Sequence, residues 1–417
     1  MAIIKPFQSI RPNVEFASKI AALPYDVYNT LEAKAEIEKQ PFSFLRVDRA
    51  ETQFDHSIDV HDPLVYKKAK EILDDMLLKG QLIEDKQECY YIYELIMNNR
   101  SQTGLVACAS IDDYLDGVIK KHENTRTEKE IDRINHVDVC DAQTGPIFLA
   151  YRSKKAINEV IQKVKLNAPL YDFISDDQVT HRAWRISDMS DVLAIHESFL
   201  DINDIYIADG HHRAASAVKV GLKRREENSE YNGKEEFNYF LSVLFPEEEL
   251  KILPYNRAIK DLNGLTFEEF VSRLKDKFEV TQLGDGAFSP EAKGTFGMYL
   301  EGIWYKLVIK EIYKNYGDPV NSLDVSILQQ YLFDEILGIK DPCSDVRIDF
   351  IGGIRGLKEL ELRANTDMKI AFSMYPTDIN ELFVVSDMGK LMPPKSTWFE
   401  PKLRIGLFIH KLQFMSE

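Results

Sequence analysis

The sequence predicts a mixed α/β protein of two domains, on three observations. Segments with the spacing of amphipathic helices alternate with short apolar runs of strand character. At 417 residues and 44% hydrophobic content, the chain is too long for one ordinary core and has apolar material for two. The pattern also restarts after Pro254.

Taken in order, Ile3 to Tyr28 carries Pro6, Pro12 and Pro24, and is expected to run extended over the surface of a domain rather than through its centre. Leu64, Val65, Ile72, Leu73, Met76 and Leu77 give Pro63 to Leu78 a helical stripe, stopped by Gly80. Tyr90 to Met97 and Thr103 to Ile111 read as paired strands across a polar turn. A charged amphipathic helix follows over Glu128 to Val139, then Gly145-Pro146, a strand over Ile147 to Tyr151 and a helix from Lys154 to about Lys165. Ile205 to Asp209 is an apolar strand, Gly210 a sharp break, and the residues beyond it strong helix formers. The charged 220s and 230s read as a solvated loop before the strand Tyr239 to Phe245.

Beyond Pro254 come a helix around Phe267 to Phe278, strands around Gly297 to Ile309 and a helix over Ser322 to Leu337. The expected domains are 1–260, a smaller α/β domain over 261–371, and a proline-fixed segment, 372–417, returning to the first. No internal repeat is visible.

Composition excludes several classes of function. With 52 Lys+Arg against 68 Asp+Glu, the formal net charge of -16 repels a polyanion, so nucleic acid is not the expected partner. Cys89, Cys108, Cys140 and Cys343 are scattered without metal-ligand spacing, which fits a reducing cytosol. No stretch approaches the ~20 apolar residues that span a bilayer. A cytoplasmic protein with no membrane partner is expected.

The densest chemistry lies at Asp209-Gly210-His211-His212-Arg213. A helix start presents N–H groups without intrahelical partners and a partial positive charge, and Arg213 adds a fork shaped for phosphate. Gly210 lets backbone approach a ligand, and Asp209 could hold a divalent cation bridging phosphate oxygens. Successive helical residues point ~100° apart, so one histidine is expected on phosphate and the other packed against a neighbour. The plainer alternatives are a helix-capping turn with one histidine in the core and Arg213 in a structural ion pair, or a metal held by Asp209 and one histidine.

A second group, Lys121 to Arg126, offers Glu123 as a general base toward a hydroxyl, with His122 beside it, and Arg126 to neutralise phosphate. Alternatively, Asn124 and Thr125 cap the helix that follows. Asp132-Arg133 reads as a surface pair on that helix. Lys395, Ser396 and Thr397 could reach an anion, or the prolines and aromatics around them could anchor the tail. Asn256-Arg257 is a weaker candidate, and Gly352-Gly353 with Gly356 lacks the lysine and spacing of a P-loop.

Together P-Y-D-V at Pro24 to Val27, H-E-N-T at His122 to Thr125, G-P-I-F at Gly145 to Phe148, A-D-G-H-H-R at Ala208 to Arg213, L-P-Y-N-R at Leu253 to Arg257 and M-P-P-K-S-T-W-F at Met392 to Phe399 resemble the family labelled domain of unknown function 1015. The D-G-H-H-R element is also similar to the phosphate-binding turn of the ParB and sulfiredoxin superfamily, including its SerK-like free serine kinases. That resemblance implies a ParB/sulfiredoxin-like N-terminal domain. It further implies nucleotide phosphates at Gly210 to Arg213 and phosphoryl transfer to a small hydroxylated metabolite.

The expected activity is therefore a phosphotransferase using ATP or ADP with Mg²⁺, serine or a similar hydroxyl compound being the acceptor. Asp209, Gly210, one of His211 and His212, and Arg213 would hold phosphates and cation. Two alternatives stay open: a phosphatase or nucleotide hydrolase, and a non-catalytic nucleotide sensor.

Overall fold

The computed structural model describes residues 1–55, 58–315 and 317–413. The chain forms two compact units, Met1–Leu250 with Pro401–Glu417, and Lys251–Glu400. Both mix helices and strands, as the interleaved periodicities require.

The first unit is built on a nine-stranded sheet. Its strands lie in the order Ile119–Lys120, Ile205–Asp209, Ile147–Tyr151, Tyr239–Pro246, Arg100–Ser110, Tyr90–Met97, Thr180–Ile186 and Tyr171–Ile174, with Ile4–Lys5 beside Arg100–Ser110. Two of the pairings are parallel, Ile205–Asp209 with Ile119–Lys120 and Tyr239–Pro246 with Ile147–Tyr151. The helix Lys155–Lys165 buries Ile157, Val160, Ile161 and Val164, the spacing of a single helical face. Those side chains join Leu105, Ala107, Leu149 and Ile207 of the sheet in one core. Burying each large aliphatic chain contributes roughly 1.5–3 kcal/mol, so this face alone fixes the helix on the sheet.

A second core gathers under the helix Pro63–Leu78. Asp62 caps that helix by accepting from the Leu64 amide, and Pro63 occupies its first turn without a lost hydrogen bond.

Three expectations need correction here. The N-terminal run does not lie on the surface: Ile4, Ser9 and Ile10 are buried. Ser9–Pro12 pairs with both Leu82–Glu84 and Ile409–Lys411 in a four-stranded sheet. Pro12 is the last residue of that strand, opposite Leu82, a terminal position where proline is tolerated. The 220s are not a loop either, since the helix runs His211–Glu227. Arg224 pairs with Asp138 and Asp141, and Arg225 with Asp112, so the charge run anchors that helix. Finally, the return to the first unit begins at Pro401 rather than at 372. Ile370–Ser373 is buried between two strands of the second unit, and Trp398–Phe399 pairs with Ile252–Leu253 there.

The second unit carries a six-stranded antiparallel sheet in the order Phe278–Gly284, Ile303–Ile309, Thr295–Leu300, Ile370–Ser373, Tyr255–Ile259 and Ile348–Gly352. The helix Phe267–Lys277 starts with a capping box of Thr266 and Glu269. The helix expected over Ser322 to Leu337 is shorter, Asp324–Leu328, and continues as π-helical backbone over Gln329–Asp334. Among the described residues no helix is long and apolar enough to cross a membrane.

Candidate functional site

The sheet topology brings three separated segments to one place. Ile205–Asp209 runs antiparallel to Ile147–Tyr151, so its carboxyl end meets the Gly145-Pro146 turn that opens the neighbouring strand. On its other side it runs parallel to Ile119–Lys120, which carries His122 and Glu123 up beside Ile207 to Asp209. The register slips between Ile207 and Asp209, a bulge that re-aims the last side chain of the strand.

Gly210 then caps the helix with φ of 95°, a left-handed conformation that favours glycine. A methyl group on it would lie 3.2 Å from Nε and Nη2 of Arg213. The guanidinium therefore curls back over the turn, and its Nη1 donates to the Pro146 carbonyl at 2.5 Å. Among the described residues no carboxylate lies within ion-pair distance of Arg213. Its fork keeps donor capacity for a further anion.

Asp209 is held differently from the expectation. Lys402 Nζ lies 2.8 Å from its Oδ2. Burial pushes this carboxyl up, but the charges of Lys402 and Arg213 outweigh it and hold the group well below the usual carboxylate range. An ammonium fills the place assigned to a divalent cation, so Asp209 does not fit as the Mg²⁺ ligand.

The two histidines diverge, as successive helical positions must. His211 is buried and meets the buried His122 edge to face, ring centroids 4.5 Å apart. Burial pulls His122 down to about 4 and takes His211 well below its ordinary value, so both rings are neutral at pH 7. His212 is half-buried, and its Nε2 accepts the Arg126 amide at 2.9 Å.

Arg126 is exposed and Glu123 half-buried. Neither Asn124 nor Thr125 caps the helix Thr127–Cys140, whose cap position is Arg126 without a side-chain bond. The Thr125 hydroxyl instead donates to Glu130, which also pairs with Lys219.

The helix Thr127–Cys140 packs along His211–Glu227, with the Ser216 hydroxyl donating to the Glu130 carbonyl at 3.1 Å. That packing turns Arg133 inward. The surface pair expected at Asp132-Arg133 is instead buried, with Arg133 7% exposed. Its guanidinium lies 4.0 Å from the centre of the Tyr25 ring and 2.7 Å from Asp132, whose other oxygen accepts from Tyr66.

Arg133 and Arg213 both line a small hollow of 30 Å³ with Tyr25, Asp48, His136 and Thr144. Tyr25, Asp48, Arg133 and His136 also line a larger cavity of 380 Å³ that reaches Arg49, His61 and Tyr66. On the floor the Thr144 hydroxyl donates to Asp48 at 2.7 Å, and His136 Nε2 stands 3.6 Å from the same carboxylate. Tyr25, Asp48, His136 and Thr144 carry no isolated signal in the sequence. Tyr25 and Thr144 fall within or beside the P-Y-D-V and G-P-I-F motifs, whereas Asp48 and His136 could be found only through packing.

Lys395, Ser396 and Thr397 belong to the second unit. The Ser396 hydroxyl donates to the Pro393 carbonyl, and the Thr377 hydroxyl donates to the Ser396 carbonyl. Lys395 stands over the Tyr255 ring, and its carbonyl accepts from Arg257 Nη2 at 2.9 Å. The weaker candidate Asn256-Arg257 thus lies beside the Lys395 segment, and Asn256 Oδ1 accepts the Met374 amide.

Comparison with known proteins gives one family and several distant folds. A family model described as a protein of unknown function, DUF1015, matches residues 4–326. No curated protein matches. Solved structures include a free serine kinase in complex with AMP, 15% identical over 73% of this chain and 91% of that one, TM-score 0.36. A conserved hypothetical protein from Pyrococcus furiosus is 15% identical over 73% and 95%, TM-score 0.35. SbnI with C-terminal truncation from Staphylococcus aureus is 10% identical over 75% and 90%, TM-score 0.39.

Proposed function

The chain belongs to the DUF1015 family, and we propose that it is a nucleotide-dependent phosphotransferase whose phosphate site lies between Arg213 and Arg133. The observation that carries this reading is the convergence of two guanidinium groups on one hollow, one of them without a carboxylate partner among the described residues. Arg prefers such sites because its planar fork meets two phosphate oxygens at once. The adjoining cavity of 380 Å³ falls within the ~300–1,000 Å³ typical of small-molecule sites. ATP or ADP would enter as its Mg²⁺ complex, the ion neutralising phosphate oxygens.

Transfer forms a bond from phosphorus to the acceptor oxygen, breaks the one to the nucleotide, and releases the acceptor's proton. Positioning and charge neutralisation supply most of the rate in such reactions. Asp48 is the carboxylate that faces both hollows, and it takes the proton-accepting role in this reading. Glu123 and His122 are less suited, because His122 is sealed in packing and Glu123 lines neither hollow. The acceptor is a small hydroxyl metabolite, free serine first among those to be tried.

The test is incubation of the purified chain with ATP or ADP, Mg²⁺ and serine, with phosphoserine followed by mass spectrometry. Product formation that falls by about 10²–10⁴ in Asp48→Asn is expected. No phosphorylated product across a panel of hydroxyl acceptors overturns the reading, and phosphate release without an acceptor replaces it by hydrolysis.

A further inference from the structure

We propose that His122, Glu123 and His211 form a binding site for a divalent transition-metal ion of the zinc class. One ligand atom from each of the three lies within 4.8 Å of the others, so small side-chain rotations bring all three to the ~2.0–2.2 Å that such ions require. Two imidazoles and one carboxylate suit Zn²⁺, Mn²⁺, Fe²⁺ or Co²⁺ and are a poor set for Mg²⁺, which takes oxygen ligands.

A second observation points to a ligand independently. His122 is 2% exposed, yet its Nδ1 has no hydrogen-bond partner. Leaving a buried polar atom unpaired is costly, and a bound ion would satisfy it. The His211 Nε2 stands 3.5 Å from the His122 amide, too long for a strong competing bond.

The surroundings agree. Glu123 is half-buried and gives the ion a route from solvent. Three protein ligands leave a fourth position for water or substrate. The site would tie the Lys121 to Arg126 segment to the start of the helix that carries Arg213. It rests on no part of the phosphotransferase reading.

Chelator-treated full-length chain titrated with Co²⁺ alone, without nucleotide, tests it through ligand-field absorption. One saturable equivalent is expected, displaced by Zn²⁺. Glu123→Gln, at a half-buried position that leaves the core intact, should weaken binding beyond the ~10–100-fold that losing an outer partner costs, and so should His211→Asn. Circular dichroism confirms that each variant is folded. Absence of saturable Co²⁺ uptake overturns the proposal, as does uptake unchanged in folded Glu123→Gln.

Discussion

At the scale of single residues, the turn at Gly210 sets where Arg213 points. A β-carbon there faces a φ of 95° and a guanidinium at 3.2 Å. The backbone conformation alone costs roughly 1–2 kcal/mol for an L-residue. Gly210→Ala should lower the melting temperature by several degrees and weaken nucleotide binding together, because the strained turn and the displaced arginine are one event. A calorimetric melt and a titration on the same sample check it. Asp324 in the second unit makes a separate prediction. Burial raises its carboxyl to about 7 although it accepts the Gly294 amide. An acid whose folded pKa is raised binds its proton more tightly when folded, so its stabilising contribution is full below about pH 4 and lost as pH rises toward 7. The protection factor of the Gly294 amide, its exchange rate divided into the intrinsic rate at each pH, should therefore fall across that window in the native chain, and Asp324→Asn should flatten the trend.

What could be read at this scale was local. Asp209 to Arg213 declares itself because an apolar run, a glycine and helix formers are adjacent in the chain. The pairing of Asp209 with Lys402 was hidden, since 193 residues separate them and nothing in either neighbourhood marks the other. His122 and His211 were each legible as polar residues near a turn. Their juxtaposition depends on the parallel register of Ile119 with Ile205, which no local pattern encodes.

At the scale of elements, the helix Thr127–Cys140 lying on His211–Glu227 converts an apparent surface pair into a buried arginine. Periodicity found both helices, but the sequence does not say which face of a charged helix meets which neighbour. The close approach of His211–Glu227 to the chain before Tyr239 depends on Gly221, whose added methyl would lie 2.4 Å from the Phe237 carbonyl. A Gly-to-Ala change inside a helix ordinarily gains up to ~1 kcal/mol. Here a backbone atom cannot step aside, and overpacking costs about 1–3 kcal/mol or more. Gly221→Ala should destabilise the first unit, seen as a lower urea midpoint at unchanged slope. A neutral or stabilising result would show that the helix can shift.

At the scale of the whole molecule, the chain is two units in which the first closes on itself with its own C-terminal strand. Ile409–Lys411 lies between Ser9–Pro12 and Ala142–Gln143, so the last described residues complete a sheet begun by the first. That closure brings Lys402 to Asp209, and with it the charge that keeps Asp209 ionised. The mixed α/β class followed directly from interleaved periods. The span 372–400 was misplaced because a proline-rich, polar stretch carries no sign of which sheet it will join, and Ile370–Ser373 is committed to the second unit only by its two neighbouring strands.

The central claim is that Arg213 and Arg133 hold nucleotide phosphates, and isothermal titration of ATP and ADP into the full chain tests it most directly. A single saturable site is predicted for at least one nucleotide. Arg213→Ala should weaken it by about 10–100-fold, the ~1.5–3 kcal/mol of a charged hydrogen-bond pair. No binding by the native chain, or equal binding by the folded variant, would contradict the account.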